Sequence, residues 1–302
     1  MNATDEEDPF DPGEATTVPD SDWIRAQASG LPQIAFAGVT DRGLVRERNE
    51  DQYLVARLTK SLEVITSSLP PAEHAPVAGR EGYVLLVADG IGGRAGGARA
   101  SALAVQGAET YLLEAAKWFF WLDDPDEDVR LRLVSEALDR LDRAIIAEGQ
   151  ADPALAGMGT TLTAASILGA DVFIVHIGDS RAYILHGGSL KQLTTDHTLT
   201  QAMVDEGIIS QEHARHHRLQ GILTNALGGK PGVTPQIVKH RAQRGDRLLL
   251  CTDGLTSLVP DDRIAELLAD YPEPQPACQA LLEAALAAGG HDNITIVLAA
   301  IA

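Results

Sequence analysis

Sulfur is scarce in this chain: of its 302 residues only Cys251 and Cys278 are cysteines. Cys251 lies inside the apolar run "RLLLCTDG", so the pattern reads as a reduced, intracellular protein and argues against a disulfide-stapled scaffold. Long apolar runs are also missing. None approaches the roughly 18 residues of a membrane-spanning helix, and no basic stretch leads into an apolar one as a targeting peptide would. The expectation is a cytoplasmic protein with no membrane partner. Basic residues are absent from the first 22 positions, which carry Asp5, Glu6, Glu7, Asp8, Asp11, Glu14, Asp20 and Asp22. The formal charge of −19 makes nucleic-acid phosphates poor partners. The same excess suits a cation site, and equally a solvated acidic surface.

Residues 1–30 mix acids with Pro, Gly and Thr and have no hydrophobic period, which predicts a disordered acidic tail ahead of one folded unit over 31–302. Apolar alternation predicts strands at 33–40 and 51–58, and three prolines with two glycines mark 66–82 as a loop. Helical periodicity follows at 101–119 and 127–149, where Val134, Leu138, Leu141 and Ile145 form one face and Gly149 is the expected cap. Short strands are predicted at 160–168, 171–178, 181–188, 246–254 and 293–301, with helices at 197–209, 261–271 and 276–288. Strands in hairpin-like succession with helices in blocks predict an α+β protein built on antiparallel sheets covered by helices.

One detail recurs. "LLVADGI" (85–91) and "LLLCTDGL" (249–255) both end an apolar run on Asp-Gly, "FIVHIGDS" (173–180) ends on Gly-Asp, and Asp292 stands just before "NITIVL". Turn chemistry explains any one of them. Four such aspartates, with "NED" (49–51) opening another strand, are a pattern that turn chemistry predicts weakly. Gly90, Gly92 and Ala95 satisfy the literal dinucleotide fingerprint. However, Asp89 would face the pyrophosphate, and the acid expected about 20 residues on falls inside a helix, at Glu109. "GDSRA" (178–182) approaches a serine-nucleophile motif, but a strand follows where a helix is required, which gives Ser180 a structural role. His213 and His217 have zinc-like i, i+4 spacing without the glutamate of a zinc-protease helix, and read better as part of a solvated segment. Carboxylates converging from strand ends instead suit hard cations such as Mg²⁺ or Mn²⁺. Asp89 could bridge two of them, the carbonyl of Gly90 could face the second, and Gly92 and Gly93 would leave room for water. Two such cations polarise a water and clamp an in-line displacement at phosphorus.

The residues resemble the metal-dependent PPM family of Ser/Thr protein phosphatases, protein phosphatase 2C-like, in its bacterial form. Eight motifs carry the resemblance in order: "GLVRERNED" (43–51), "VADGIGG" (87–93), "GMGTTLTAA" (157–165), "VHIGDSRAY" (175–183), "TTDHTL" (194–199), "LTNALGG" (223–229), "LLCTDGL" (249–255) and "GGHDNITIVL" (289–298). The tail, the 66–82 loop and "KWFFWL" (117–122) fall outside them.

The resemblance implies a four-layer α-β-β-α sandwich, two central antiparallel sheets flanked by helices. It implies that Asp89, Asp253 and Asp292 hold a first Mn²⁺ or Mg²⁺. Asp89 and the Gly90 carbonyl would hold a second, with Glu50 and Asp51 acting through waters. A third, weaker site would use Asp179 with Asp253. Arg46, Asp89 and Asp253 would be catalytic, Arg46 gripping the substrate phosphate as a two-pronged donor. Asn293 would support Asp292. Ile91 stands where animal members carry a histidine proposed to protonate the leaving group, and metal-bound water is the expected substitute. The implied activity is hydrolysis of phosphoserine and phosphothreonine without a phosphoenzyme, by a monomer whose partners are phosphorylated proteins, including a bacterial Ser/Thr kinase or its substrates. The alternatives are a catalytically weak regulatory relative that binds phosphoproteins, and a phosphatase dedicated to one anti-anti-sigma-type partner.

Overall fold

The computed structural model describes residues 34–60, 80–92, 96–119, 127–214, 217–229 and 232–302. The expected tail, most of the 66–82 loop, Gly93 and much of "KWFFWL" lie outside the described residues. Ten strands form two antiparallel sheets. One runs in the order β1 (Ile34–Asp41), β12 (Ile294–Ile301), β11 (Arg247–Cys251), β8 (Arg181–His186), β9 (Ser189–Gln192). The other runs β10 (Gln236–Arg241), β7 (Asp171–Ile177), β6 (Leu162–Leu168), β3 (Arg80–Ala88), β2 (Gln52–Lys60). A short pair, β4 (Gly90–Ile91) and β5 (Gly159–Thr160), sits beside them.

Strand alternation sorts the apolar side chains into layers. On β3, Leu85 and Val87 face the space between the sheets, where they meet Ile184, Leu248, Leu250 and Val297. Leu86 and Ala88 face the other way, onto Ala100 and Ala104 of α1 (Gly96–Phe119) and Leu138 and Ile145 of α2 (Glu127–Ala151). On β11 the even-numbered leucines point inward, while Leu249 and Cys251 pack against α6 (Asp261–Asp270) and α7 (Pro274–Ala287) through Ile264, Leu268 and Leu281. The result is the four-layer α-β-β-α sandwich. Each fully buried leucine contributes about 1.5–3 kcal/mol of transfer free energy, so the layering is strongly specified.

Some boundaries differ from the expectation. α2 runs through Gly149 to Ala151 and is followed by Asp152, whose side chain accepts from Ala154 N in a short 3-10 turn, so the helix stops two residues later than the predicted cap. Arg80–Gly82 belong to β3 rather than to the preceding loop. Asp253 opens a helical turn, α5 (Asp253–Thr256), where a strand end was expected. The segment around residue 200 is a two-turn helix, α3 (Leu199–Asp205), shorter than predicted.

Register decides where function can sit. Gln52 pairs with Ala88, Val87 with Thr163 and Leu162 with Ile177. In the other sheet Asp41 pairs with Ile294, and Cys251 with both Ile296 and Arg181. Each set of pairs brings the residues flanking these strands to one end of its sheet.

Candidate metal centre

The turn after β3 is built by threonines. Asp89 N–H donates to Thr161 Oγ1 (2.9 Å), while Asp89 O accepts from Thr161 N (2.9 Å) and Thr160 Oγ1 (2.9 Å). Both backbone groups of Asp89 are thereby satisfied, and the carboxylate is held at the strand end. The glycines around it serve backbone packing. A Cβ on Gly90 would fall on the Gly97 carbonyl and 2.7 Å from Glu50 O, and one on Gly97 would fall on Glu50 Oε2. Gly92, at φ +119, lies where a Cβ would come within 2.9 Å of Gly157 O. The space that the sequence reading reserved for water at Gly92 is therefore filled by the Gly157–Met158 backbone. At Gly90 and Gly92 the close approach comes from the protein's own main chain, and at Gly97 from the Glu50 carboxylate as well.

Asp51 ties the sheets together. Its Oδ2 accepts from Thr252 Oγ1 (2.8 Å) and Thr295 Oγ1 (2.7 Å), residues at the ends of β11 and β12, while Asp51 itself precedes β2. The Thr295 hydroxyl has one proton, and with it given to Asp51 the 2.8 Å contact with Thr40 Oγ1 must be a bond donated by Thr40. Asn293 clasps the β1–β2 loop by accepting from Glu50 N (2.8 Å) and donating to Arg42 O (2.9 Å) and Arg48 O (2.8 Å). Its N–H donates to Asp292 Oδ1 at 2.8 Å, so the expected support of Asp292 is present and comes from the main chain. Arg46 Nη2 donates to Asp292 Oδ2 at 2.6 Å.

These carboxylates crowd one another. Burial, and then the charge of Asp292, pushes Asp253 up to about 6, while a hydrogen bond from Asp89 opposes the rise. Burial likewise pushes Asp51 up to about 7 against its two threonine donors. Asp89 is raised well above the usual carboxylate range by burial and by Asp51, Asp253, Asp179 and Asp292. Asp179 is raised by burial, Asp253 and Asp196, and Glu50 chiefly by burial. The Asp292 hydrogen bond raises the Arg46 guanidinium. Glu50, Asp51, Asp89, Asp179, Asp253 and Asp292 thus each feel the charge of at least one other of the six, and Arg46 feels that of Asp292, Asp253 and Asp89.

Among the described residues no three His, Cys, Asp or Glu side chains already stand as a ligand trio. Asp292 is turned to Arg46, and Asp51 to its threonines. Even so, Asp51 Oδ1 and Asp253 Oδ1 are buried acceptors without a hydrogen-bond partner. An orphaned carboxylate oxygen is costly to bury unless a cation or a donor meets it. Hard divalent cations prefer oxygen ligands of this kind, so the residues present fit them.

Other readings fall away. Both sheets are antiparallel throughout, which removes the parallel βαβ unit a dinucleotide fold needs. Ser180 is fully buried and hydrogen-bonded to Thr161 Oγ1 at 2.8 Å, with β8 following directly, so it is no exposed nucleophile. His213 lies in α4 (Gln211–Ala214) and His217 beyond its end, where His217 N donates to Ala214 O at 3.2 Å. Thr160, Thr161, Thr163, His176 and His197 have no role that is evident from sequence alone. The signal that could have pointed to the threonines is the run of hydroxyls "TTLT" (160–163) opening a largely apolar strand.

The chain matches the family model described as protein phosphatase 2C over residues 73–288. It belongs to the protein phosphatase 2C family. The serine/threonine protein phosphatase PstP of Mycobacterium tuberculosis is 39% identical over 267 residues, which are 88% of this chain and 45% of the relative. This chain therefore spans under half the length of that mycobacterial relative. The serine/threonine phosphatase stp of Listeria monocytogenes is 35% identical over 267 residues, 86% of this chain and 92% of the relative. A crystal structure of the PstP catalytic domain, in complex with two manganese ions, superposes with a TM-score of 0.68 at 36% identity, covering 90% of this chain and 99% of that one. In the protein phosphatase 2C frame, the motifs "GLVRERNED", "VADGIGG", "VHIGDSRAY", "LLCTDGL" and "GGHDNITIVL" are the segments that carry the crowded carboxylates. Among the described residues no helix is long and apolar enough to cross a membrane.

Proposed function

We propose that this chain is a divalent-metal-dependent phosphatase acting on phosphoserine and phosphothreonine in proteins. The observation that carries it is the gathering of Asp51, Asp89, Asp253 and Asp292, with two buried carboxylate oxygens unsatisfied, beside an arginine. Asp89, Asp253 and Asp292 would hold one Mn²⁺ or Mg²⁺, and Asp89 with the Gly90 carbonyl a second, supported through water by Glu50 and Asp51. Asp179 with Asp253 would hold a third, weaker one. When bound, such cations neutralise phosphoryl charge and lower the pKa of water so that it can attack phosphorus.

The chain's own residues supply position and charge. Arg46 has five N–H donors and uses one on Asp292, so the remaining fork can pair with phosphoryl oxygens. Its side chain is 57% exposed, within reach of a substrate arriving from solvent. Asn293 fixes the loop that carries Arg46 and Glu50, so the arginine and the carboxylates are set by one clasp. Ile91 packs over Gly159 and has no proton to give, which leaves protonation of the leaving group to solvent within the site.

Residues 31–302 form the phosphatase unit in this reading and 1–30 an accessory acidic tail. The protein works as a cytoplasmic monomer on the phosphorylated products of a Ser/Thr kinase, or on the kinase itself. A regulatory relative that only binds phosphoproteins is disfavoured, because every carboxylate the motifs call for is kept. The test is hydrolysis of phosphoserine and phosphothreonine peptides by metal-stripped protein with and without Mn²⁺. Hydrolysis that appears only with metal supports the proposal. Undiminished hydrolysis in EDTA sinks the metal-dependent reading, and tight binding without turnover in Mn²⁺ would favour the regulatory one.

A further inference from the structure

Thr161 stands between two aspartate turns and touches both. It is fully buried. On one side its hydroxyl accepts from Asp89 N–H at 2.9 Å and its own N–H donates to Asp89 O at 2.9 Å. On the other side the same hydroxyl meets Ser180 Oγ at 2.8 Å. The intervening residue explains why the turn needs a glycine. Gly178 sits at φ +110, and a Cβ there would lie 2.5 Å from Thr161 Cγ2 and 2.6 Å from Thr161 Cβ. The threonine side chain occupies the volume that any other residue at 178 would fill.

The contact is backed by a second set of buried polar groups. Thr163 Oγ1 lies 3.2 Å from Ser180 O and 2.9 Å from His176 Nδ1, and His176 Nε2 lies 3.1 Å from Thr195 O. A carbonyl can only accept, so Nε2 carries the imidazole proton. Burial keeps His176 neutral by pushing it down to about 3, which makes Nδ1 an acceptor for the Thr163 hydroxyl. Farther along, His197 Nδ1 accepts from Gly178 N at 3.2 Å. The Thr163 hydroxyl has one proton and gives it to His176, so its 3.2 Å approach to Ser180 O is not a donated bond, and the Gly178–Ser180 turn is braced through Ser180 by Thr161 and through Gly178 by His197.

We propose that Thr161 is a positioning residue for the phosphatase site: its hydroxyl fixes the Asp89 turn relative to the Gly178–Ser180 turn that carries Asp179. The inference rests on the metal-site reading above for its functional consequence, but not for the tie itself. In that reading Asp89 is the carboxylate that would serve two cations. Its backbone at this point is held by the threonine pair 160–161, so loosening Thr161 frees the aspartate without removing any carboxylate. Groups that orient metal ligands commonly cost 10–100-fold in affinity when removed.

The variants are Thr161→Val, which keeps the shape and loses the hydroxyl, and Thr161→Ser, which keeps the hydroxyl and loses the methyl. Two readouts are taken on the full chain: amide hydrogen exchange at Asp89, which needs no metal, and Mn²⁺ affinity by calorimetry. Thr161→Val should speed exchange at Asp89 at least about 10-fold and weaken Mn²⁺ binding by about 10–100-fold, and Thr161→Ser should restore most of both. Unchanged exchange at Asp89 in Thr161→Val overturns the proposal. Equal loss in the valine and serine variants also overturns it, because the methyl packed at Gly178 would then be what matters. If Thr161→Val fails to fold, Ser180→Ala takes its place. It should speed exchange at Asp89 and weaken Mn²⁺ binding in the same direction, and wild-type behaviour in both would remove the bridge. A wild-type protein that binds no Mn²⁺ would sink the proposed function while leaving the exchange result to judge the tie.

Discussion

Arg46 and Asp292 are bonded to each other, Nη2 to Oδ2 at 2.6 Å, although they are 246 residues apart in sequence. In the proposed site a phosphoryl dianion would meet an arginine already oriented by a carboxylate. Arg46→Ala should raise KM for phosphopeptides by about 10-fold or more, the scale of one charge-assisted hydrogen bond in a shielded site. Arg46→Lys should recover only part of it, since an ammonium returns charge without the fork. Mn²⁺ affinity should not fall in either variant, because losing Arg46 frees Asp292. Steady-state kinetics beside calorimetry decide the matter, and a wild-type KM in the alanine variant would remove Arg46 from substrate binding.

Asp253 should trade stability for activity. Its carboxyl is pushed up to about 6 from an ordinary value of 3.8. A raised carboxyl makes the folded state the better proton binder between those values, so stability falls as pH rises through that window and the cost persists above it. Asp253→Asn should therefore raise the unfolding free energy of metal-stripped protein at pH 8, by up to about 3 kcal/mol. It should also lower kcat at least about 10³-fold in Mn²⁺. An asparagine variant less stable than wild type in EDTA would contradict the electrostatic account.

His176 predicts the opposite slope. Its pKa is depressed to about 3 by burial, so below about 6.5 the unfolded chain takes up a proton that the folded one refuses. This group's contribution is intact above pH 6.5 and is lost as pH falls toward 3. At pH 5 the loss amounts to about 2 kcal/mol. Denaturant titrations at pH 7 and pH 5 should show that loss in wild type and its absence in His176→Gln. A difference curve that is flat over this interval would mean that His176 is protonated in the folded state.

The glycine next to Asp89 gives a sharper contrast. Gly90→Ala places a Cβ on the Gly97 carbonyl and 2.7 Å from Glu50 O, and neither backbone can yield without moving α1 or the β1–β2 loop. A loss of about 3 kcal/mol or more is expected, at the severe end for a point change. Gly221→Ala, where nothing lies within 4 Å, should change stability by less than about 0.5 kcal/mol. Thermal unfolding of the two variants side by side checks the claim.

The layered architecture was legible because alternation on strands such as β3 and β11 leaves little freedom. Leu85 and Val87 can face one core only if Leu86 and Ala88 face another. The acids stood out by recurrence, since turn chemistry accounts for one aspartate at the end of an apolar run but weakly for four. What stayed hidden was pairing across sequence distance. Nothing local in "NED" says that Asp51 accepts from Thr252 and Thr295, more than 200 residues away. The glycines misled, because an absent side chain looks the same in sequence whether water or backbone fills its place. The end of α2 was missed because glycine is tolerated in a helix whose other residues bury one face.

The bond from Asp51 to Thr252 and Thr295 works as a rivet through both leaves of the sandwich, set at the end where the carboxylates meet. Breathing of the leaves should then favour the far end, and the carboxylate-bearing end should part only when the rivet gives way. On heating, loss of turnover and loss of the folded state should therefore arrive together, with no warm, folded, inactive form between them.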